Sequence, residues 1–162
     1  MQVGASTFKD HVNYYTIFSI EAAARMNPEI PVYLLFTTVT NELKLNRSVY
    51  TDILDTYKNI HIRYANVYEM GEGTVLQDFM NDNVWKKSKH ALEHMSDIIR
   101  ALSVHKYGGL YMDLDVLMLK PWRYIKQMNF LCPEHSDLLG NSLFHFDTND
   151  GKKFTLKALE LS

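Results

Sequence analysis

The sequence predicts an α/β domain in which a mainly parallel sheet is flanked by helices. Two observations lead to this prediction: segments with apolar residues at helical spacing alternate with short apolar runs, and turn residues separate them. The chain has 162 residues, of which 46% are hydrophobic and 12% aromatic, enough for one domain with a substantial core. Because it shows no internal repeat, low-complexity tract or linker, we treat residues 1–162 as a single unit.

The first part of the chain predicts two helices and two strands. A helical pattern spans residues 8–27, and the apolar run at 31–36 predicts a buried strand. Residues 43–57 predict a second helix, and residues 60–64 alternate as in a strand. Residues 1–7 contain no apolar run, so no strand is expected before the first helix. The apolar residues at helical spacing in that helix are Phe8, Val12, Tyr15, Phe18, Ala22 and Met26.

The second part of the chain predicts a long helix that leads directly into a strand. The helix spans residues 90–107, and Gly108-Gly109 turns the chain into the apolar run Leu110–Leu119. The other predicted elements are a loop at 71–73, a short helix at 74–80, a polar connection at 85–89, strands at 130–131 and 143–146, and a helix from 151 onward.

Two carboxylates, Asp113 and Asp115, interrupt this apolar run. Burying an isolated carboxylate is costly, so each acid needs a cation or a polar substrate beside it. On a strand, residues two apart point to the same side, so both acids are expected to face one point. One or two carboxylates together with substrate phosphates are typical ligands of Mg²⁺ and Mn²⁺. An exposed edge strand produces the same pattern, so these two acids alone do not decide the function.

The long helix carries a second group of polar residues, Ser96, Asp97 and Arg100. Asp97 and Arg100 are three residues apart, so they share a helix face and can pair. A solvated surface ion pair is the ordinary explanation of such spacing. Because this helix ends at the turn that leads to the acids, we expect its polar face to lie near the same site.

Composition argues against several classes of function. The formal charge of −2, without a concentrated basic patch, argues against a nucleic-acid partner. No apolar run approaches the roughly 18 to 20 residues that a membrane span needs, and no signal-peptide pattern is visible. The single Cys132 excludes an internal disulfide. A phosphotransferase is a weaker alternative, because no glycine-rich phosphate loop is present.

Other residues have both a functional and a structural explanation. His90 and His94 have a spacing that can bind zinc on a helix, but no third ligand is indicated, which favours a surface or supporting role. Trp85 either lines a pocket or anchors the core, and His145 is expected to be packed rather than to act as a base. The charge run Lys86, Lys87 and Lys89 is expected to be solvated.

The block Ser96–Trp122, with the sequence SDIIRALSVHKYGGLYMDLDVLMLKPW, closely resembles the core of glycosyltransferase family 32, whose sugar-binding region contains a DXD motif. The similarity extends to Ser19–Pro28, Val32–Phe36 and Gly140–Phe146, and so covers most of the chain. The chain resembles most the animal branch of lactosylceramide α-1,4-galactosyltransferases and α-1,4-N-acetylglucosaminyltransferases.

This resemblance implies a GT-A-like (Rossmann-like) fold that binds a nucleotide-sugar. It also implies metal-dependent, retaining transfer of a sugar, galactose or N-acetylglucosamine, from a UDP-sugar donor to a glycan or glycolipid acceptor. The expected cofactor is Mn²⁺ or Mg²⁺, and the expected location is the Golgi lumen, where full-length relatives are membrane-anchored. No catalytic nucleophile is identified.

The resemblance also assigns expected roles to site residues. Asp115 would bind the metal directly, and Asp113 would contact the ribose and the metal shell. Asp97 and Arg100 would hold hydroxyls of the donor sugar. Ser96 would fix that helix end or contact the donor, and Gly108 and Gly109 would complete the binding set.

The sequence departs from the family at both ends. The family domain opens with a strand that helps to hold the uracil and ribose, which is not expected here, and its acceptor-binding half would follow Ser162. We therefore expect residues 1–162 to be a partial catalytic domain. A catalytically inactive nucleotide-sugar-binding or interaction domain derived from this family is the open alternative.

Overall fold

A computed structural model describes residues 2–5, 14–37 and 49–160, which form one six-stranded sheet with helices on both faces. The strands are β1 (Gln2–Ala5), β2 (Val32–Thr37), β3 (Ile60–Ala65), β4 (Gly109–Met112), β5 (Phe130–His135) and β6 (Leu138–Phe146). The helices are α1 (Tyr14–Met26), α2 (Val49–Asp55), α3 (Val67–Gly71), α4 (Gln77–Asn81), α5 (Ala91–Tyr107) and α6 (Thr148–Glu160). Two short 3-10 turns, Val84–Lys87 and Trp122–Tyr124, complete the secondary structure of these residues.

The sheet order is β3-β2-β1-β4-β6-β5, and its first four strands are parallel. The last two strands run antiparallel, β6 against β4 and β5 against β6. Only two residues, 136–137, separate β5 from β6, and so short a connection joins antiparallel strands only. The predicted parallel α/β sheet is therefore confirmed for four strands and extended by an antiparallel pair.

The expectation that no strand precedes the first helix is wrong. Gln2–Ala5 forms β1 between β2 and β4, with Val3 aligned to Leu34 on one side and to Met112 on the other. A four-residue segment of this composition has little intrinsic preference for a strand. The segment is a strand because it pairs with β2 on one side and β4 on the other, and such tertiary context can outweigh intrinsic strand propensity.

One face of the sheet is covered by α1 and α2. Val32, Leu34 and Phe36 pack there against buried residues of α1. The side of α1 that packs differs from the predicted stripe: Tyr15 is 75% exposed and Phe18 48% exposed. The buried residues of α1 are Thr16, Ile17, Ser19, Ile20, Ala23 and Ala24.

Small residues explain this choice of face. Ser19, Ala23 and Ala24 allow the helix backbone to approach the sheet closely, whereas large residues at those positions would hold it away. Phe8 and Val12 of the predicted stripe lie outside the described residues, as do residues 43–48 of the predicted second helix, of which α2 is the described part.

The opposite face is covered by α3, α4, α5 and α6. Met80, Met95 and Leu102 are fully buried on this face, and Trp85 is 4% exposed, so its structural explanation is confirmed. The sequence did not predict α3, which begins where the Asn66 side chain accepts a hydrogen bond from the Tyr68 backbone N–H at 3.0 Å. Within the described ranges, no helix is both long and apolar enough to cross a membrane.

The predicted passage from the long helix to the next strand is confirmed. Helix α5 ends at Tyr107, and the Gly108 N–H caps it by donating to the Val104 carbonyl oxygen at 2.8 Å. Gly108 and Gly109 have φ angles of 67° and 95°, which disfavour any residue with a Cβ. Because α5 runs opposite to β4, the middle of α5 lies beside the carboxyl end of β4.

Candidate functional site

The candidate site begins where β4 ends, at the carboxyl edge of the parallel strands. The strand stops at Met112, so the prediction of one strand carrying both acids is wrong. The Asp113 N–H still donates to the Ser142 carbonyl oxygen of β6 at 2.7 Å. The chain then turns, with the Val116 N–H bonded to the Asp113 carbonyl oxygen at 3.1 Å, and Asp115 lies within the turn. The alternation of a strand therefore cannot be used to infer where the two acids point.

Asp113 is half-buried and both of its carboxylate oxygens accept hydrogen bonds. The Tyr111 hydroxyl donates to Oδ1 at 2.6 Å, and Arg100 Nη1 donates to Oδ2 at 3.1 Å. Burial raises the pKa of the Asp113 carboxyl above its ordinary value, and the nearby negative Asp115 acts in the same direction. The hydrogen bond from Tyr111 and the charge of Arg100 lower that pKa, but they do not fully offset burial.

Arg100 is the centre of this cluster, and its side chain is only 11% exposed. Its Nη2 donates to Ser96 Oγ at 3.0 Å and lies 3.3 Å from Asp97 Oδ1. Its Nη1 contacts Asn141 Oδ1 at 2.9 Å and the Asn141 carbonyl oxygen at 3.0 Å. The guanidinium also lies over the Tyr111 ring, 5.2 Å from its centroid.

The expected Asp97–Arg100 pair is thus present, and it is joined to Asp113 as the sequence suggested. The helix and the four-residue strand after it run in opposite directions, so Arg100, in the middle of α5, comes level with Asp113 at the end of β4, 13 positions later. We call Ser96, Asp97, Arg100, Asp113 and Asn141 the Arg100 cluster.

Sequence reasoning missed Asn141 as a site residue. Its Nδ2 donates to Asp97 Oδ1 at 2.9 Å, so it bonds both members of the ion pair. Asn141 lies on β6, 41 residues beyond Arg100, and only the pairing of β6 with β4 brings it to the cluster. The only sequence signal that could have identified Asn141 was its position in the block Gly140–Phe146, which resembles the family.

Asp115 has a contrasting environment, because its side chain is exposed. Among the described residues, no hydrogen bond or ion pair is recorded for its carboxylate. A solvated carboxylate retains all of its lone pairs for a cation.

Gly108 and Gly109 are not brought to the acids. Gly108 caps α5 and Gly109 begins β4, whereas Asp113 follows the last residue of β4, and Gly109 is aligned with Phe146 at the far end of β6. They line a different cavity of about 470 Å³, together with Tyr33 and Tyr107 and with residues of β3. Their observed role is to reverse the chain between α5 and β4.

A cavity of about 390 Å³ adjoins the Arg100 cluster. Asp97, Arg100 and Asn141 line its polar end, and its volume lies within the range of small-molecule sites, roughly 300–1,000 Å³. The other lining residues are Ile98, Ala101, Leu131, Leu139, Gly140, Phe144, Phe154 and Thr155.

The residue set near Asp113 suits a hard divalent cation whose other ligands come from a substrate. In the ranges 2–5, 14–37 and 49–160, no three His, Cys, Asp or Glu side chains are grouped to hold a metal on their own. Two carboxylates, one of them exposed, fit Mg²⁺ or Mn²⁺, which keep waters and substrate phosphates as ligands.

The remaining candidates are not members of the Arg100 cluster. His90 and His94 have ring centroids 6.1 Å apart and no third ligand among the described residues, and Ser88 Oγ lies 3.2 Å from His94 Nδ1. His145 is buried, with Nδ1 2.7 Å from the Met128 carbonyl oxygen and its ring against Trp122 at 4.5 Å. His145 is therefore packed, as expected.

Comparison with known proteins gives consistent results. Residues 6–135 match a family model described as "Glycosyltransferase sugar-binding region containing DXD motif". The human protein named alpha-1,4-N-acetylglucosaminyltransferase is 30% identical over 131 residues, which are 79% of this chain and 38% of that protein. The mouse lactosylceramide 4-alpha-galactosyltransferase is 28% identical over 109 residues, 67% of this chain and 30% of that protein. The chain therefore spans about a third of the length of these relatives.

Solved structures support the fold alone. The PaToxG glycosyltransferase matches with a TM-score of 0.64 at 14% identity, covering 91% of this chain and 55% of that one. A structure titled "Structure of Transferase" matches with a TM-score of 0.53 at 13% identity, covering 98% of this chain and 83% of that one. These matches agree with the α/β architecture described above.

Proposed function

The chain belongs to the family of glycosyltransferases whose sugar-binding region contains a DXD motif, and from this membership we propose that it binds a UDP-sugar with a divalent cation for retaining transfer to a glycan or glycolipid. Galactose and N-acetylglucosamine are the proposed sugars, since relatives named for each match the chain. The observation that carries the proposal is the Arg100 cluster beside the exposed Asp115, at the carboxyl edge of β4. We propose a GT-A fold, and the Golgi lumen as location by resemblance.

The proposed roles follow from the environment of each side chain. Asp115 is free to contact the cation directly, and Asp113, already bonded by Tyr111 and Arg100, offers its remaining lone pairs. The cation, Mn²⁺ or Mg²⁺, supplies neutralisation of the negative charge that develops on the departing nucleoside diphosphate.

The donor sugar is proposed to lie at the polar end of the cavity next to the cluster. Asp97 is half exposed there, so its carboxylate is accessible to sugar hydroxyls, and the Asn141 amide is beside it. Arg100 is enclosed by its partners, so we assign it to holding Asp97, Asp113 and Asn141 in position. Ser96 supports Arg100 from the same helix face. We propose no ligand contact for Gly108 and Gly109, because they lie at the other end of β4.

Calorimetric titration of the chain with UDP, with and without Mn²⁺, tests this proposal. We expect binding that requires Mn²⁺ and that weakens at least tenfold in Asp115→Asn. The matched control is Asp82→Asn, which changes another exposed carboxylate outside the site. Absence of Mn²⁺-dependent UDP binding in the unaltered chain would contradict the proposal.

A second measurement separates transfer from binding. Release of free UDP from UDP-galactose and UDP-N-acetylglucosamine, with and without a lactose-type acceptor, reports turnover. Binding without UDP release supports the alternative function, a nucleotide-sugar-binding domain without catalysis. Binding with acceptor-dependent release supports the transferase.

A further inference from the structure

We propose that Ser19 and Asn27 of the first helical segment are positioning residues that fix the turn carrying Asp115. The inference rests on the proposed function, in which Asp115 contacts the cation. It assigns a role to the block Ser19–Pro28, which resembles the family and yet lies outside the Arg100 cluster.

Ser19 holds the chain immediately after Asp115. Its Oγ donates to the Val116 carbonyl oxygen at 2.6 Å, across 97 positions of sequence, and the residue is 3% exposed. On the other side of the acid, the Asp113 N–H is bonded to Ser142 at 2.7 Å. The turn is thus fixed at one end by the sheet and at the other by α1.

Asn27 holds the continuation of the same segment. Its Nδ2 donates to the Ala23 carbonyl oxygen at 2.9 Å and contacts Met118 Sδ at 2.9 Å. Its Oδ1 accepts the Trp122 N–H at 2.7 Å, and the residue is 4% exposed. One buried amide therefore connects the end of α1 to two points of the segment that follows Asp115.

Asn27 is itself fixed by a neighbour. Asn59 Nδ2 donates to the carbonyl oxygens of Ala24, Asn27 and Ile30 at 3.1, 2.9 and 3.2 Å. The backbone at the end of α1 is therefore held by a second set of hydrogen bonds, and Asn27 is a fixed attachment point for the segment that it bonds.

Packing explains why the segment needs these attachments. Residues 113–120 form neither helix nor strand, so few backbone hydrogen bonds fix their course. Leu114, Val116 and Met118 pack against the buried core of α1 and β2. The intervening Leu117 and Leu119 are 40% and 74% exposed, so side chains alternate inward and outward along the segment. The inward residues, held by Ser19 and Asn27, keep Asp115 on the outer side.

A helix that only fills the core would act differently from one that positions Asp115. Tyr57→Phe provides the matched control, because the Tyr57 hydroxyl donates to Glu21 Oε1 of the same helix at 2.5 Å, whereas Ser19 donates to the segment after Asp115. If α1 acts only by packing, loss of the Ser19 hydrogen bond and loss of the Tyr57 hydrogen bond should have the same effect on UDP binding.

The test combines hydrogen–deuterium exchange with UDP titration in the presence of Mn²⁺. We expect Ser19→Ala to increase amide exchange over residues 114–119 and to weaken Mn²⁺-dependent UDP binding about fivefold, with exchange in β3 unchanged. Tyr57→Phe is expected to leave both exchange over 114–119 and UDP binding unchanged. Ser19→Cys keeps the shape of the side chain with a somewhat larger atom, and its thiol is only a weak donor, so it should behave as Ser19→Ala and also serves if the alanine variant does not fold.

Asn27→Asp gives an independent measurement. It keeps the oxygen that accepts the Trp122 N–H and removes the donors to Ala23 and Met118, so we expect a larger increase in exchange at 116–119 than at 122. Unchanged exchange and unchanged UDP binding in the Ser19 variants would overturn the inference while the proposed function stands. Absence of Mn²⁺-dependent UDP binding in the unaltered chain would instead overturn the proposed function.

Discussion

Asp113 and Asp115 are two residues apart and occupy opposite environments. Asp113 is half-buried in the Arg100 cluster, where Tyr111 and Arg100 bond both of its oxygens. Asp115 is exposed in the turn that follows, on the outer side of a segment held by α1. The two identical acids therefore have different surroundings: Asp113 is bonded within the cluster, whereas Asp115 has no hydrogen-bond or ion-pair partner among the described residues.

The largest expected effect on stability concerns Arg100, which pairs with the more buried of the two acids, Asp113. Arg100→Met leaves the carboxylates of Asp113 and Asp97 without their cation, and because both acids keep part of their hydration, we expect a loss of about 2–3 kcal/mol of unfolding free energy, less than for a fully buried pair. Urea unfolding at neutral pH measures this loss. The control is Arg25→Met, whose pair with Glu21 is 66% exposed at the arginine, so a change within about 0.5 kcal/mol is expected. A loss below 1 kcal/mol for Arg100→Met would show that the cluster does not stabilise the fold.

The second prediction compares the two acids directly. Asp113→Asn is expected to lower the unfolding free energy by about 1–2 kcal/mol, because it disturbs the hydrogen bonds of Tyr111 and Arg100. Asp115→Asn is expected to stay within about 0.5 kcal/mol of the unaltered chain, as surface substitutions usually do. Both variants should lose Mn²⁺-dependent UDP binding. Equal stability losses for the two variants would remove the contrast between the acids.

The third prediction concerns the residue that the sequence did not reveal. Asn141→Ala removes one acceptor from Arg100 and one donor to Asp97, and we expect about 1 kcal/mol less stability. Because Asn141 lines the cavity rather than the metal turn, affinity for the UDP-sugar should fall about fivefold while affinity for UDP stays unchanged. Calorimetry with the two ligands measures the difference. Equal weakening for UDP and UDP-sugar would place Asn141 at the nucleotide instead.

The smallest expected effect is a pH dependence of opposite sign at two carboxyl groups. The pKa of Asp113 is raised, mainly by burial. At a pH above the pKa that Asp113 has in the folded chain, its ionisation therefore lowers the free energy of unfolding. This cost disappears as the pH falls below the pKa that Asp113 has in the unfolded chain. The pKa of Asp147 is lowered, mainly by the backbone N–H groups of Asp150 and Asn149 at the start of α6. Asp147 therefore contributes stability above its unfolded pKa and loses that contribution as pH falls through its folded pKa.

Unfolding free energies between pH 3 and 7 measure both effects. The unaltered chain should gain stability relative to Asp113→Asn as pH falls through the window just above the ordinary aspartate pKa. The unaltered chain should lose stability relative to Asp147→Asn at lower pH, through the window below that value. The same sign for both differences would contradict the assigned environments.

Much of the fold was predictable because its causes are local. The apolar run of β2, the alternation of β3 and the helical pattern of α5 each follow from a few neighbouring residues, and all three are confirmed. The Gly108-Gly109 turn is also local, because only the φ angles of two residues define it. Helix α3 was missed because five residues contain too few turns to show a helical period.

The sequence by itself determined the α/β class, the order of most elements and the family to which the chain belongs, since each depends on short patterns or on an uninterrupted block. Only the tertiary structure decided that Gln2–Ala5 forms a central strand, that α1 packs through Ser19 and its alanines, and that Asn141 joins Arg100. These outcomes depend on strand pairing and helix packing between residues tens of positions apart. The same long-range contacts bury Asp113 and leave Asp115 exposed, a distinction that two identical residues cannot show in sequence.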